Sequence, residues 1–211
     1  MEEIIKKITR NQNPESIFLY GSKARGDDLI DSDTEIGVLS KEDSHNCFEG
    51  VFFFDYDNFK EAKIDTPFPL DIYLRELSLS AKTIYGEKVV ENFTPPAITK
   101  ESLLERINFD CATALYAAKF KNEELFYKSV LFGVRNIIIL EKGVFPLTYK
   151  EIWKSSESLN LEKFNDLPQK AYETRETNNS PNLKDYKRAI SLTNSFLRRR
   201  IKREQNNIIL K

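Results

Sequence analysis

Pro95 and Pro96 stand side by side where the periodicity of the chain changes, and they divide it into two halves of different kind. Proline lacks an amide hydrogen and disfavours a helical residue before it, so a proline pair ends regular structure on either side. Before the pair, short apolar runs and turn residues alternate with short amphipathic stretches. After it, apolar residues recur at three- and four-residue spacing almost throughout. The expectation is an α+β chain in which residues 1–94 form an α/β domain with a small mixed sheet. Residues 97–211 are then expected to form an antiparallel helical bundle with short connections.

In the first half, Ile4, Ile5 and Ile8 fall at helical spacing and predict a helix over 2–12. Ser16–Tyr20 predicts a strand, Ser22–Asp27 a short helix or turn, and Thr34–Leu39 a second strand. Val51–Phe54 could be a buried strand and Tyr56–Lys63 could be helical. Leu70-Asp71-Ile72-Tyr73-Leu74 alternates around one acid and predicts a strand, with a helix starting over Ser78–Tyr85 and a turn at Gly86–Val90. In the second half, helices are predicted over Thr99–Lys121, over Glu123–Lys142 ending at Gly143, from about Thr148, over Leu161–Thr177 and over Leu183–Gln205.

The formal net charge of −1 hides an asymmetry. Residues 1–98 carry 11 Lys+Arg against 19 Asp+Glu, a net of −8, whereas residues 99–211 carry 21 against 14, a net of +7. An acidic first half suits a cation site, and a basic second half could meet an anionic substrate or simply be a solvated face. Cys47 and Cys111 have no CxxC spacing and no secretory signal precedes them, which predicts reduced thiols in a cytoplasmic protein. Arg135 and Asn136 interrupt the longest apolar run, so no membrane span is expected. The single histidine, His45, argues against a zinc site and against most histidine acid–base schemes.

The chemistry concentrates near residues 20–38. A predicted strand runs into Tyr20-Gly21-Ser22-Lys23-Ala24-Arg25-Gly26, and Asp33-Thr34-Glu35-Ile36 follows. A turn that exposes backbone N–H groups can hold phosphate. Carboxylates at i and i+2 of one strand point the same way and can hold a hard cation through oxygen. Asp71, set among apolar neighbours, is costly to bury without a partner, which favours a place at the same cation.

Gly21-Ser22, the spacer, Asp33-Thr34-Glu35 and Asp71 together resemble the DNA polymerase β-type nucleotidyltransferase superfamily. Gly-Ser-x-Ala-Arg-Gly followed by Ser32-Asp33-x-Glu35 is similar to its minimal and aminoglycoside-modifying members. The matching motifs cover residues 15–90, under half the chain. The resemblance implies a Mg²⁺-dependent transfer of a nucleoside monophosphate from a triphosphate, with ATP the expected donor, to a hydroxyl acceptor. It implies catalytic and metal-holding roles for Asp33, Glu35 and Asp71, with Asp71 also assisting deprotonation of the acceptor. It implies nucleotide contacts from Gly21, Ser22, Arg25 and Lys23, with Arg25 alternatively bracing the turn through Asp27 or Asp28. The acceptor could be a small hydroxylated molecule, a protein or an RNA, and a homodimer belongs to the same expectation.

Glu35 stands where aspartate is the commoner family choice, and Gly37 where a bulky strand residue is expected. A Mn²⁺ preference, weak activity or a nucleotide-binding or antitoxin-like module without turnover therefore stays open beside the transferase. Arg135-Asn136, four residues and Glu141 resemble the Arg-polar-x4-His ribonuclease motif of HEPN-type bundles, with glutamate in the histidine position. That resemblance implies a HEPN-like bundle serving as a substrate-binding domain without ribonuclease activity, the active site lying in the cleft between the two domains. The basic run Arg198–Arg203 could touch RNA phosphates or be a solvated helix face.

Overall fold

An amphipathic segment opens the chain. Helix α1 (Glu2–Asn11) turns Ile4, Ile5 and Ile8 to one side and leads into strand β1 (Ser16–Tyr20). A five-residue helix, α2 (Gly21–Arg25), follows at once. Then come strand β2 (Glu35–Ser40), strand β3 (Val51–Asp55) and helix α3 (Tyr56–Lys60), whose N-cap Asp55 accepts from the Asn58 amide through its carboxylate. Helix α4 (Leu70–Ser80), strand β4 (Lys82–Gly86) and helix α5 (Val89–Asn92) complete the α/β part. Beyond the prolines lie α6 (Lys100–Phe120), α7 (Glu123–Lys142), α8 (Tyr149–Ser156) and α9 (Leu167–Thr177). This computed structural model describes residues 1–30, 32–42, 48–159, 161, 165–177, 187–188 and 191.

The chain divides into two compact units, Met1–Ser102 and Leu103–Lys211, a few residues past the Pro95-Pro96 pair. The shift has a physical cause. Pro95 is buried, and Thr99 donates its amide to Asp71 Oδ2 at 2.8 Å, which ties the segment after the prolines to the first unit.

The first unit is a four-stranded mixed sheet in the order β3-β2-β1-β4. β1 pairs antiparallel with both β2 and β4, and β2 pairs parallel with β3. Successive strand residues face opposite sides, and here both sides are apolar. Ile17, Ile36 and Val38 meet α1 on one face. Phe18, Tyr20, Leu39 and Phe54 meet α3, α4 and α5 on the other. Gly37 pairs with Phe18 across β1 and β2, and a Cβ on it would lie 2.1 Å from the Phe18 ring. The glycine that looks out of place in a strand is therefore the floor on which a fully buried phenylalanine rests.

Two elements differ from the sequence reading. Leu70–Leu74 is the start of α4 and not a strand, and the strand lies later, at β4, where a helix is expected. The five-residue alternation is too short to separate periods 2 and 3.6. Extended to Ser80, Asp71, Leu74, Leu77 and Ser80 are buried at three-residue steps, and Pro69 occupies the N-cap. In β4, Thr83, Ile84 and Tyr85 have strand-favouring side chains, and Gly86 turns the chain with φ 77° where Glu15 O leaves no room for a Cβ. A strand does form at 51–55, but it is not a buried one: none of its residues is buried and Phe52 is 51% exposed.

The second unit is helical. Thr99 Oγ1 accepts from Ser102 N at the start of α6, Asn122 caps α7, and Gly143 ends α7 with φ 67°. Thr148 and Glu151 form a capping box on α8. Apolar residues of α6 to α9, among them Ile107, Phe126, Leu131, Ile152 and Leu167, make one core. Within the predicted 161–177 element, Leu167–Thr177 is helical; residues 162–164, Cys47, His45, most of the predicted 183–205 helix and the run 198–203 lie outside the described residues.

A buried polar cluster joins α6 to α7. Arg106 Nε donates to Asp110 Oδ1 at 3.2 Å, and Asn136 Nδ2 donates to Asp110 Oδ2 at 2.9 Å. Burial pushes the Asp110 carboxyl up to about 6, against the opposing pull of Arg106 and Arg135. The native state thus holds this proton more tightly than the unfolded chain, so its contribution to stability is full below about pH 4 and is lost as pH rises through 6. Asp110→Asn should flatten the stability profile across that window by roughly 2–3 kcal/mol, read from urea midpoints at pH 4.5 and 7. Gly37→Val should cost about 1–3 kcal/mol through overpacking against Phe18, measured by the same denaturation at one pH.

Candidate functional site

β1 delivers the chain into the turn that carries the expected phosphate contacts. Gly21 adopts φ 73°, a conformation natural for glycine and strained for other residues. Tyr20 pairs with Glu35 across β1 and β2, and this register brings the Glu35 side chain over Gly21. A Cβ on Gly21 would lie 1.7 Å from Glu35 Oε2. The turn and the second motif acid are therefore packed directly against each other, and it is the positive φ that favours glycine here, since the carboxylate end of Glu35 could swing aside.

The surroundings of Glu35 are aromatic. Tyr20 and Tyr73 of α4 share a hydrogen bond, and the Glu35 charge acts on both phenols. Burial, helped by that charge, raises the Tyr20 phenol far above its ordinary range. Tyr73 is pushed up to about 12, by burial first and then by Glu35 and Glu76, against the opposing effect of its bond with Tyr20. Phe52 meets Tyr20 edge-on, with centroids 6.1 Å apart. Phe52 pairs with Gly37, so it lies on the sheet face that Glu35 shares.

The other expected residues are distributed differently. Asp33 is exposed and lies ahead of β2, which begins at Glu35, so the argument that both acids project from one strand does not hold. Lys23 Nζ donates to Thr34 Oγ1 at 2.7 Å, tying the α2 turn to the segment between the two acids. Ser22 is partly exposed on the same turn. Arg25 braces the turn: its guanidinium meets Asp27 Oδ1 at 3.2 Å and Glu76 Oε1 at 2.9 Å, and its side chain is 4% exposed.

Asp71 needs the largest correction. It sits in the first turn of α4 and not on a strand. Its Oδ1 accepts from Ile72 N at 2.8 Å and its Oδ2 from Thr99 N at 2.8 Å. The cost of burying it is met by backbone amides, which is the alternative to a cation that the sequence reading passed over. Among the described residues, no group of three or more His, Cys, Asp and Glu is arranged to hold a metal ion. Asp33 and Glu35 are hard oxygen donors of the kind Mg²⁺ takes together with phosphate oxygens and water. Asp71, engaged by two backbone amides, is not placed to join them as a third carboxylate.

Tyr73 and Glu76 were not anticipated at the site. Once Leu70–Ser80 is read as a helix, their three-residue spacing puts them on one face, and that face meets Glu35 and Arg25. In the helical unit, Arg135 and Asn136 are 1% and 0% exposed. Arg135 lies over the Phe132 and Phe145 rings, at 4.6 and 5.2 Å, and Asn136 bonds Asp110. They are a buried polar pair within the core. No helix among the described residues is long and apolar enough to cross a membrane.

No family model, curated protein or solved structure matches the chain. Glu35→Gln should bring Tyr73 down from about 12 toward 10 by a fraction of a unit, because it removes the charge but keeps the burial. The check is a pH titration of tyrosine ring carbon signals by NMR.

Proposed function

We propose that the first unit is a nucleotidyltransferase-like module that binds a nucleoside triphosphate with its Mg²⁺, ATP being the expected nucleotide. The observation that carries the reading is the contact of Glu35 with Gly21, which couples a cation-holding carboxylate to a phosphate-holding turn. Gly21 and Ser22 would receive the phosphates, Lys23 would add charge beside them, and Asp33 with Glu35 would hold Mg²⁺, or Mn²⁺, against the phosphate oxygens. When bound, the cation neutralises phosphate charge. Binding without turnover is favoured over transfer by the two amides that occupy Asp71 and by Phe52 on the sheet face of Glu35.

Transfer of the nucleoside monophosphate to a hydroxyl acceptor is the second reading. The sequence motif favours it, and so does the way Arg25 and Lys23 hold the turn between α2 and β2. In that reading the second unit is a HEPN-like antiparallel bundle that receives the acceptor, whether a small hydroxylated molecule, a protein or an RNA. Its single apolar core across α6 to α9 supports a bundle.

ATP with Mg²⁺ should raise the midpoint of thermal unfolding of the wild-type protein, and the shift should vanish in Asp33→Ala and in Glu35→Gln. A shift that persists in both variants would remove the proposed site. Incubation with α-labelled nucleoside triphosphates and an acceptor panel separates the two readings. Label transferred by the wild type and lost in Asp33→Ala establishes the transferase.

A further inference from the structure

The end of the sheet away from Gly21 and Glu35 holds an open cleft of about 640 Å³, lined by α3 and by the chain from Glu87 to Thr94. Its place follows from the strand registers. Tyr56 follows Asp55, which pairs with Ser40 at the far end of β2, and Glu87 follows Gly86, which pairs with Ser16 at the start of β1. A five-residue strand separates it from the Glu35 turn by roughly 15 Å. The volume lies within the range of small-molecule sites.

The charge of the cleft contradicts that of its unit. Residues 1–98 carry a net −8, yet two lysines line this cleft and a third, Lys41, stands at the ring of Tyr56 beside it. Lys60 and Lys88 line the cleft. The Lys60 and Lys41 ammonium groups lie 4.9 and 5.0 Å from the centroid of the Tyr56 ring. Two like charges held at one ring repel each other, and among the described residues neither makes an ion pair with a carboxylate. The nearby acids accept from neutral donors, although the Lys88 charge also acts on Glu91. Glu87 accepts from the Tyr56 hydroxyl at 2.7 Å, and Glu91 accepts from Thr83 N at 2.6 Å and from its hydroxyl. Phe93 and Val89 supply an apolar wall, and Asn92 a polar side chain beside it.

We propose that this cleft binds a small organic phosphate monoester. The dianionic phosphate would lie among Lys41, Lys60 and Lys88, since ammonium groups bind phosphate as point charges without the planar fork of arginine. The organic part would lie against Phe93 and Val89. The hydrogen bond from the Tyr56 hydroxyl to Glu87 orients the ring over which the Lys41 and Lys60 ammonium groups lie. The proposal does not depend on nucleotide binding at Gly21.

Phenyl phosphate is the probe, titrated by calorimetry at low salt into the full chain. Wild type should bind it about ten-fold more tightly than inorganic phosphate, which lacks the apolar part. Lys41→Gln/Lys60→Gln should weaken phenyl phosphate by about ten-fold or more. Both lysines are exposed, so an unchanged circular dichroism spectrum is expected for that variant. Lys82→Gln, which removes an exposed charge from β4 outside the cleft, and Asp33→Ala, at the other end of the sheet, should bind as wild type does. Absence of binding at millimolar phenyl phosphate overturns the proposal. So does undiminished binding by the double variant, or an equal loss in Lys82→Gln, which would mark general charge attraction.

Discussion

The first unit depends on β1. The strand Ser16–Tyr20 has a partner strand on each side, buries apolar side chains on both faces and ends in the turn that meets Glu35. Phe18 is the point of greatest constraint. It is fully buried, lies over Gly37, stacks on Phe54 at 6.2 Å and meets Phe59 at 6.3 Å. Register in a sheet buried on both faces is strongly specified, because a one-residue slip would exchange the two sets of side chains. That register alone puts Glu35 opposite Tyr20 and hence over Gly21. The contact on which the nucleotide proposal rests is thus a consequence of how Phe18 packs three residues earlier.

Several buried ionisable groups in both units are matched locally, as burial of a charge requires. Arg25 is matched by Asp27 and Glu76, Asp71 by two backbone amides, and Asp110 by Arg106 and Asn136. Glu35 acts instead on two phenols that burial keeps protonated. In each case at least one partner comes from an element distant in sequence or from the backbone itself. An acid among apolar neighbours therefore signals a buried partner in general, and a cation is only one such partner. Asp71 shows the difference.

Much of the architecture was legible in the residues. α1, β1, β2, α6, α7 and α8 announce themselves through periodic apolar runs or through end residues such as Thr99, Gly143 and Thr148. The α+β division follows from the change of period at the prolines. The exchange of strand and helix over residues 70–86 was not legible, because Leu70–Leu74 satisfies both periods and its fate is set by what packs on it. Gly37 was open to misreading for a related reason: its value lies in the ring that covers it, and Phe18 is nineteen positions away. Of the site, the Gly21–Glu35 association was legible as two motifs at a spacing, whereas Tyr73, Glu76 and Phe52 reach it only through folding.

By itself the sequence determined where the chain can turn, which segments have an apolar side, and that its acids and its bases fall in different halves. Those are local properties of residue type and spacing, and they hold in any compact state. Only the tertiary structure decided what each charged group faces. The same carboxylate is a cation ligand, a helix-end acceptor or a neighbour of two phenols according to which amides, guanidinium groups or rings come within about 3–5 Å of it. Electrostatic and hydrogen-bond energies fall steeply over those distances, so the register of β1 and β2 and the helical winding of α4 separate the roles of Glu35 and Asp71.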